Sequence, residues 1–278
     1  MKKHLLLMLS LLMANMFLNA ETTTDWQEAN LFGKVKILKS DYETTTFNAS
    51  GYMEAVINGN ANWYDGDTIY TYDKNNRLIT VIGHDRAKKE CVRINKTYDT
   101  NGLLIKEVRK DYTVETEKLE YNSKKQLVWK KTYNEDGSLY HASEFTYNSA
   151  GNQISEKEYD EDMKLYNKTI CTYDSNNKLM EKREYKVRDT EILDEVYSYN
   201  ADGNLVEETT YDQGEVYSRR VVTYDAKSNV SSEITTEPSY STSTTYSYEY
   251  DSQGNWIVRE RYENGKLKGT ERREIIYY

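Results

Sequence analysis

The side chains that most often carry catalysis are few in this chain and poorly placed for it. There are three histidines, His4, His84 and His141, and two cysteines, Cys91 and Cys171. No serine stands in a Gly-x-Ser-x-Gly turn, no glycine-rich loop provides for a phosphate, and neither Cys-x-x-Cys nor His-Glu-x-x-His spacing provides for zinc. His141 shares the strand parity of Leu139, which marks a partly covered sheet residue rather than a general base. The acidic turns Asn134-Glu135-Asp136 and Asp160-Glu161-Asp162 offer oxygens to calcium, but they lack the alternating carboxylates and distal glutamate of a full loop. Turn formation accounts for them. With 46 acidic residues in the chain, paired carboxylates single out no acid–base couple. The expectation is no enzyme, no cofactor and no metal site.

What is regular is the tyrosine spacing. Tyr72, Tyr98, Tyr121, Tyr147, Tyr173, Tyr199, Tyr224 and Tyr250 follow one another at steps of 26, 23, 26, 26, 26, 25 and 26 residues. A period of this size is the signature of a repeat architecture. Each tyrosine is followed by Asp or Asn, and four positions after it stand Asn76, Gly102, Lys125, Gly151, Asn177, Gly203, Ser228 and Gly254. Asp or Asn opens a type I turn by accepting hydrogen bonds from it, and Gly or Asn at the later position tolerates positive φ. The product is a tight hairpin with a bulge. In it the tyrosine faces the residue six positions on, as Tyr72 faces Leu78 and Tyr199 faces Leu205. Lys125 and Ser228 predict two less regular turns.

Between these turns lies a second, variable set, such as Tyr133 to Gly137 and Tyr262 to Gly265. One unit is therefore strand, regular turn, strand, variable turn, and links this short make neighbouring strands antiparallel. The expected fold is all-β, a repetitive antiparallel up-and-down meander with about 26 residues per two-strand unit. Roughly 17 strands plus a cap would extend ~80 Å if laid flat. Apolar columns on both faces predict that the sheet twists into an open spiral, with a flat single layer as the alternative. In an open meander Cys91 and Cys171, three units apart, are ~29 Å from each other, so no disulfide is expected. Cys171 falls in an apolar column.

Residues 1–20 read as a signal peptide, with Lys2 and Lys3 before the apolar run Leu5 to Leu18 and a small residue, Ala20, at the cut. Residues 21–66 read as an N-terminal cap and 67–278 as the hairpin array. No later stretch could span a membrane as a helix. A lipid-facing barrel is also not expected, because strand centres carry Glu181 and Arg183 on one face and Lys182 and Glu184 on the other. The formal charge of −9 disfavours nucleic acid. An exported location, in the periplasm, at the cell surface or secreted, follows from these features.

The strings Tyr250-Asp-Ser-Gln-Gly-Asn-Trp256 and Tyr147-Asn-Ser-Ala-Gly-Asn-Gln153 resemble the YD repeats of the Rhs family, and the likeness runs from about Tyr72 to the end. The resemblance implies a spiralling β-sheet, which in large members encloses a C-terminal toxin, and it implies carbohydrate binding. This chain is short, with no toxin-like domain after the array and no proline-rich core motif.

Function is expected in what the turns do not use. Tyr140, Tyr166 and Tyr217 follow Leu139, Leu165 and Val216 and point to the opposite face, where a row of rings could stack on sugars. The first expectation is thus a non-catalytic binding scaffold for a glycan or a protein. The second is a structural or cell-surface subunit that assembles through free sheet edges, and the third, well behind, is a hydrolase whose scattered carboxylates are gathered by coiling of the sheet.

Overall fold

The computed structural model describes residues 24–40, 43–57, 66–85, 87–187 and 191–278. The expected signal peptide, 1–20, lies outside the described residues. A single turn of helix, α1 (Asp25–Glu28), is capped by Thr24 and Gln27 in a reciprocal capping box. Then come β1 (Val35–Ser40), β2 (Thr44–Phe47), β3 (Met53–Ile57), β4 (Thr68–Tyr72), β5 (Leu78–His84), β6 (Glu90–Tyr98), β7 (Leu104–Lys110), β8 (Val114–Tyr121), β9 (Leu127–Tyr133) and β10 (Leu139–Tyr147). They continue with β11 (Gln153–Tyr159), β12 (Leu165–Tyr173), β13 (Leu179–Val187), β14 (Glu191–Tyr199), β15 (Leu205–Asp212), β16 (Glu215–Tyr224), β17 (Val230–Glu237), β18 (Tyr240–Tyr250), β19 (Trp256–Glu263) and β20 (Lys266–Tyr277).

Every strand pairs antiparallel with its sequence neighbours, and β20 returns to pair with β1. The open spiral expected from sequence is therefore corrected: the meander closes into a barrel of 20 strands. Both β1 and β20 have two partners, so the described strands leave no free edge of the kind on which edge-to-edge assembly would depend. Twenty strands ~4.8 Å apart and tilted by ~40° enclose a radius on the order of 20 Å, too wide for side chains to fill.

The turns explain the regularity. Asp73 accepts from the amides of Asn75 and Arg77, its own amide donates to the Arg77 carbonyl, and Asn76 takes φ 58°. Asp99, Asn148, Asn200 and Asp251 repeat the pattern with Gly102, Gly151, Gly203 and Gly254 at φ 85–94°. The expected irregularity at Lys125 and Ser228 is not found. Both adopt positive φ, 63° and 61°, and both keep the turn hydrogen bond. The Asn122 and Asp225 side chains hold those turns through the amides two and four positions on, which offsets the left-handed strain.

Each tyrosine pairs with the residue six on, as Tyr72 with Leu78 and Tyr147 with Gln153, and the residue between that partner and the next pair is bulged. The bulge shifts parity. Ser155, eight positions after Tyr147, pairs with exposed Thr146, and Glu156 pairs with Phe145 on the tyrosine side. Closing a sheet crowds the side chains of its concave face, which identifies the tyrosine face as lumenal. On it Tyr197 is 1% exposed, Val222 3% and Cys171 6%, whereas Thr71, Thr97, Glu120, Thr146 and Thr172 on the other face are open to solvent.

Two further units complete the ring. Phe47 takes the tyrosine position in a turn with Asn48 and Gly51 and pairs with Met53. The last unit is split between the chain ends. Tyr277 pairs with Val35, Lys36 is bulged, Gly33 has φ 80°, and the Tyr278 amide donates to the Lys34 carbonyl. These are the contacts that a continuous turn makes elsewhere. Leu31, Val35 and Phe47 form a buried cluster with Trp26, Leu38, Met53, Ile275 and Tyr277 around the seam. The Trp26 indole donates to the Val35 carbonyl at 2.8 Å.

Candidate functional site

The turn tyrosines are committed to the wall. Tyr72, Tyr98, Tyr121, Tyr147, Tyr173 and Tyr224 donate their hydroxyls to the carbonyls of Met53, Leu78, Leu104, Leu127, Gln153 and Leu205 at 2.7–2.8 Å. Each bond ties one unit to the carbonyl beside the preceding unit's bulge. Near the seam the pattern changes hands. Tyr248 takes the Val230 carbonyl and Arg273 takes that of Trp256, while Tyr250 and Tyr277 donate to Asp225 and Asp251. A second set of ties uses the residue after the positive-φ turn position: Gln126 donates to the Gly151 carbonyl, Asn152 to the Asn177 side chain, and Asn255 to the Phe32 carbonyl. Burial pushes the hydroxyls of Tyr121 and Tyr147 up to about 12.

Tyr140, Tyr166 and Tyr217 behave differently. All three sit at a second row of bulges near the variable turns, where Leu139, Leu165 and Val216 pair and the next residue does not. The bulge turns each ring to the lumenal side, where they remain 51%, 38% and 51% exposed. Among the described residues none of their hydroxyls has a hydrogen-bond partner; Tyr140 meets the His141 ring edge-on at 5.3 Å. Tyr240, which sequence reasoning did not single out, belongs to the same mouth: it pairs with Glu237, donates to its carboxylate at 2.5 Å and is 52% exposed. Its position one residue after a short Pro238-Ser239 turn was the available signal.

The lumenal wall below is ionic. Lys96 pairs with Glu107, Lys182 with Glu184, Arg259 with Glu271, and Arg220 bridges Glu208 at 3.3 Å and Glu233 at 2.9 Å. On β11 the lumenal carboxylates are Glu156 and Glu158. Burial raises the Glu156 pKa, with the Glu158 charge adding to it and Lys130 and Lys182 opposing. Glu158 accepts from the Asn167 side chain at 2.9 Å. Across β18 to β20 the wall is aromatic and basic. Tyr246 stacks on Tyr248, Tyr248 meets Trp256 at a tilt of 59°, and the Arg273 guanidinium lies 3.3 Å from the Trp256 ring centre. Leu38, Ser40, Glu43, Thr45, Glu271 and Arg273 line a recess of about 140 Å³ beside this wall.

The acidic turns serve backbone. Asp136 accepts from the Ser138 amide and hydroxyl, and Asp160 from the amides of Asp162 and Lys164. Among the described residues no three His, Cys, Asp or Glu side chains gather as a metal cluster. Both cysteines are free. Cys171 is buried, with its thiol pushed up to about 11 by burial, and Cys91 donates to the Gly83 carbonyl. His141 lies beside Thr132 at 3.4 Å.

The fold and wall define a class, a closed single-chain β-barrel of hairpins with YD-like turns. No family model matches the chain, and no curated protein does. Among solved structures it is similar to part of the Photorhabdus luminescens Tc holotoxin pore, with 14% identity and a TM-score of 0.42 over 84% of this chain. The chain spans 15% of that protein's length. It is also similar to a porin-like protein from Bacteroides uniformis, with 16% identity and a TM-score of 0.41, covering 88% of this chain and 96% of the other. Both scores are low, and neither bears on what the chain binds.

Proposed function

We propose that this chain is an exported, non-catalytic binding barrel whose lumenal mouth holds a polymer, in the first place a carbohydrate. The observation that carries this reading is the contrast between two sets of tyrosines. Six of the eight regular-turn tyrosines, all but Tyr199 and Tyr250, spend their hydroxyls on neighbouring carbonyls. Tyr140, Tyr166 and Tyr217 keep exposed rings and unengaged hydroxyls on the same concave face. An aromatic ring with an apolar face and a free polar tip suits a sugar, which presents C–H groups on one side and hydroxyls at its edge.

An aqueous setting is supported by the outer face. Arg183 pairs with Glu181, Lys157 with Glu144, and Arg219 with Glu207, all at mid-strand. In contact with lipid these charges would be costly. No helix among the described residues is long and apolar enough to cross a membrane. The test is a glycan array probed with the native chain and with the Tyr140→Ala/Tyr166→Ala/Tyr217→Ala variant. The reading expects signals that the variant loses while its thermal unfolding is unchanged. An array silent for the native chain refutes the carbohydrate reading.

A further inference from the structure

The charge of the wall beneath the exposed rings narrows the ligand class, and this step rests on the carbohydrate reading above. Tyr140 on β10 and Tyr166 on β12 flank β11, two strands apart or ~10 Å. That is the scale on which alternate rings of an extended pyranose chain recur. Between them β11 presents Glu156 and Glu158 to the lumen. Neither carboxylate has a Lys or Arg within ion-pair distance among the described residues. The cations nearest Glu156 are engaged elsewhere, Lys130 with Glu117 and Lys182 with Glu184. Elsewhere on the lumenal wall Lys96 and Arg259 each meet one glutamate, Arg220 is shared by Glu208 and Glu233, and Glu195 accepts from the Tyr197 hydroxyl. The flanking polar groups are Ser143, Thr132 and Asn167, with His141 beside Thr132 and against the Tyr140 ring. Beneath the exposed rings, then, lie two carboxylates without a cation of their own.

We propose that Tyr140, Tyr166, Glu156 and Glu158 form a subsite for a saccharide chain bearing free ammonium groups, an amino-sugar polymer rather than a neutral or acidic one. Sugar faces stack on the two tyrosines, and an ammonium group on the ring between them meets the β11 carboxylates, where it also gains from the tyrosine π faces. Uronates and phosphorylated glycans are repelled by the same pair.

The experiment is calorimetric titration of the full chain with two probes of equal length, a fully deacetylated and a fully acetylated glucosamine hexamer. The deacetylated hexamer should bind at least about tenfold more tightly at low salt, and the gap should shrink as salt rises. Glu158→Gln and the Glu156→Gln/Glu158→Gln pair should abolish the gap, with strand content by circular dichroism unchanged. Tyr140→Ala/Tyr166→Ala should weaken both hexamers. Equal affinity for the two forms, or a gap that survives in both glutamine variants, overturns the charge assignment and leaves the carbohydrate reading standing. Competition by an oligolysine as strong as by the deacetylated hexamer overturns the saccharide class in favour of a basic peptide. Binding of neither hexamer by a chain that lights other glycans on the array overturns this inference alone.

Discussion

Tyr277 stands opposite Val35 across the seam in the register that Tyr72 keeps with Leu78, although 242 positions separate the first pair in sequence and only six the second. The chain ends therefore rebuild one hairpin unit without a covalent turn. Val35 is fully buried there, and Val35→Ala should cost about 2 kcal/mol or more through lost transfer and a cavity. Urea unfolding followed by tryptophan fluorescence would measure it. A loss no larger than that of an exposed control, Val216→Ala, would mean that the seam does not support the fold.

Gly51 and Gly137 both have positive φ, 89° and 84°, yet only Gly51 is crowded, since a Cβ there would lie 2.6 Å from the Trp26 ring. Substitution by Ala should cost about 1 kcal/mol at Gly137 for the backbone alone. At Gly51 the loss should be clearly greater and accompanied by a change in tryptophan emission. Equal losses would show that Trp26 does not dock on this turn.

The tyrosine ladder predicts a sharp asymmetry. Tyr147→Phe leaves the Leu127 carbonyl without its donor and should destabilise by about 1 kcal/mol. Tyr140→Phe should be neutral in the same unfolding assay. Equivalent effects at the two positions would remove the distinction on which the functional reading depends.

Alkali should unfold the barrel within a definite window. In the folded chain burial raises the hydroxyls of Tyr121, Tyr147 and Tyr248 to about 12, against ~10 in an unfolded chain. The neutral phenol is thus the form that the fold favours. This stabilisation is complete below pH ~10 and is lost as pH climbs towards 12. Ultraviolet titration should show a class of tyrosines that ionises only as secondary structure is lost. Full tyrosine ionisation by pH 11 with strand content intact would contradict the buried ladder.

The turns were legible in the sequence because Asp or Asn followed by a residue tolerant of positive φ fixes both turn type and register locally. Closure was not. One unit carries Phe47 where the others have Tyr, and another is divided between Tyr277-Tyr278 and Gly33-Lys34-Val35, so that no contiguous string announces it. Period-two reading also fails beyond each bulge. It places Glu181 on the tyrosine face, whereas the bulge at Met180 turns Glu181 outward and Lys182 inward. For the same reason the charge beneath Tyr140 and Tyr166 could not be read from the sequence, since facing Glu156 to the lumen requires knowing where Ile154 bulges.

Lys39 and Glu274 provide the most direct test of closure in the unmodified chain. They are partners across β1 and β20, with 3.0 Å between ammonium and carboxylate. A zero-length carbodiimide cross-link, mapped by mass spectrometry on monomeric protein, should join the peptides that contain them. Their absence from the cross-linked map, with neighbouring-strand pairs such as Arg-free Lys131–Glu120 recovered, would contradict the closed barrel and return the chain to an open sheet.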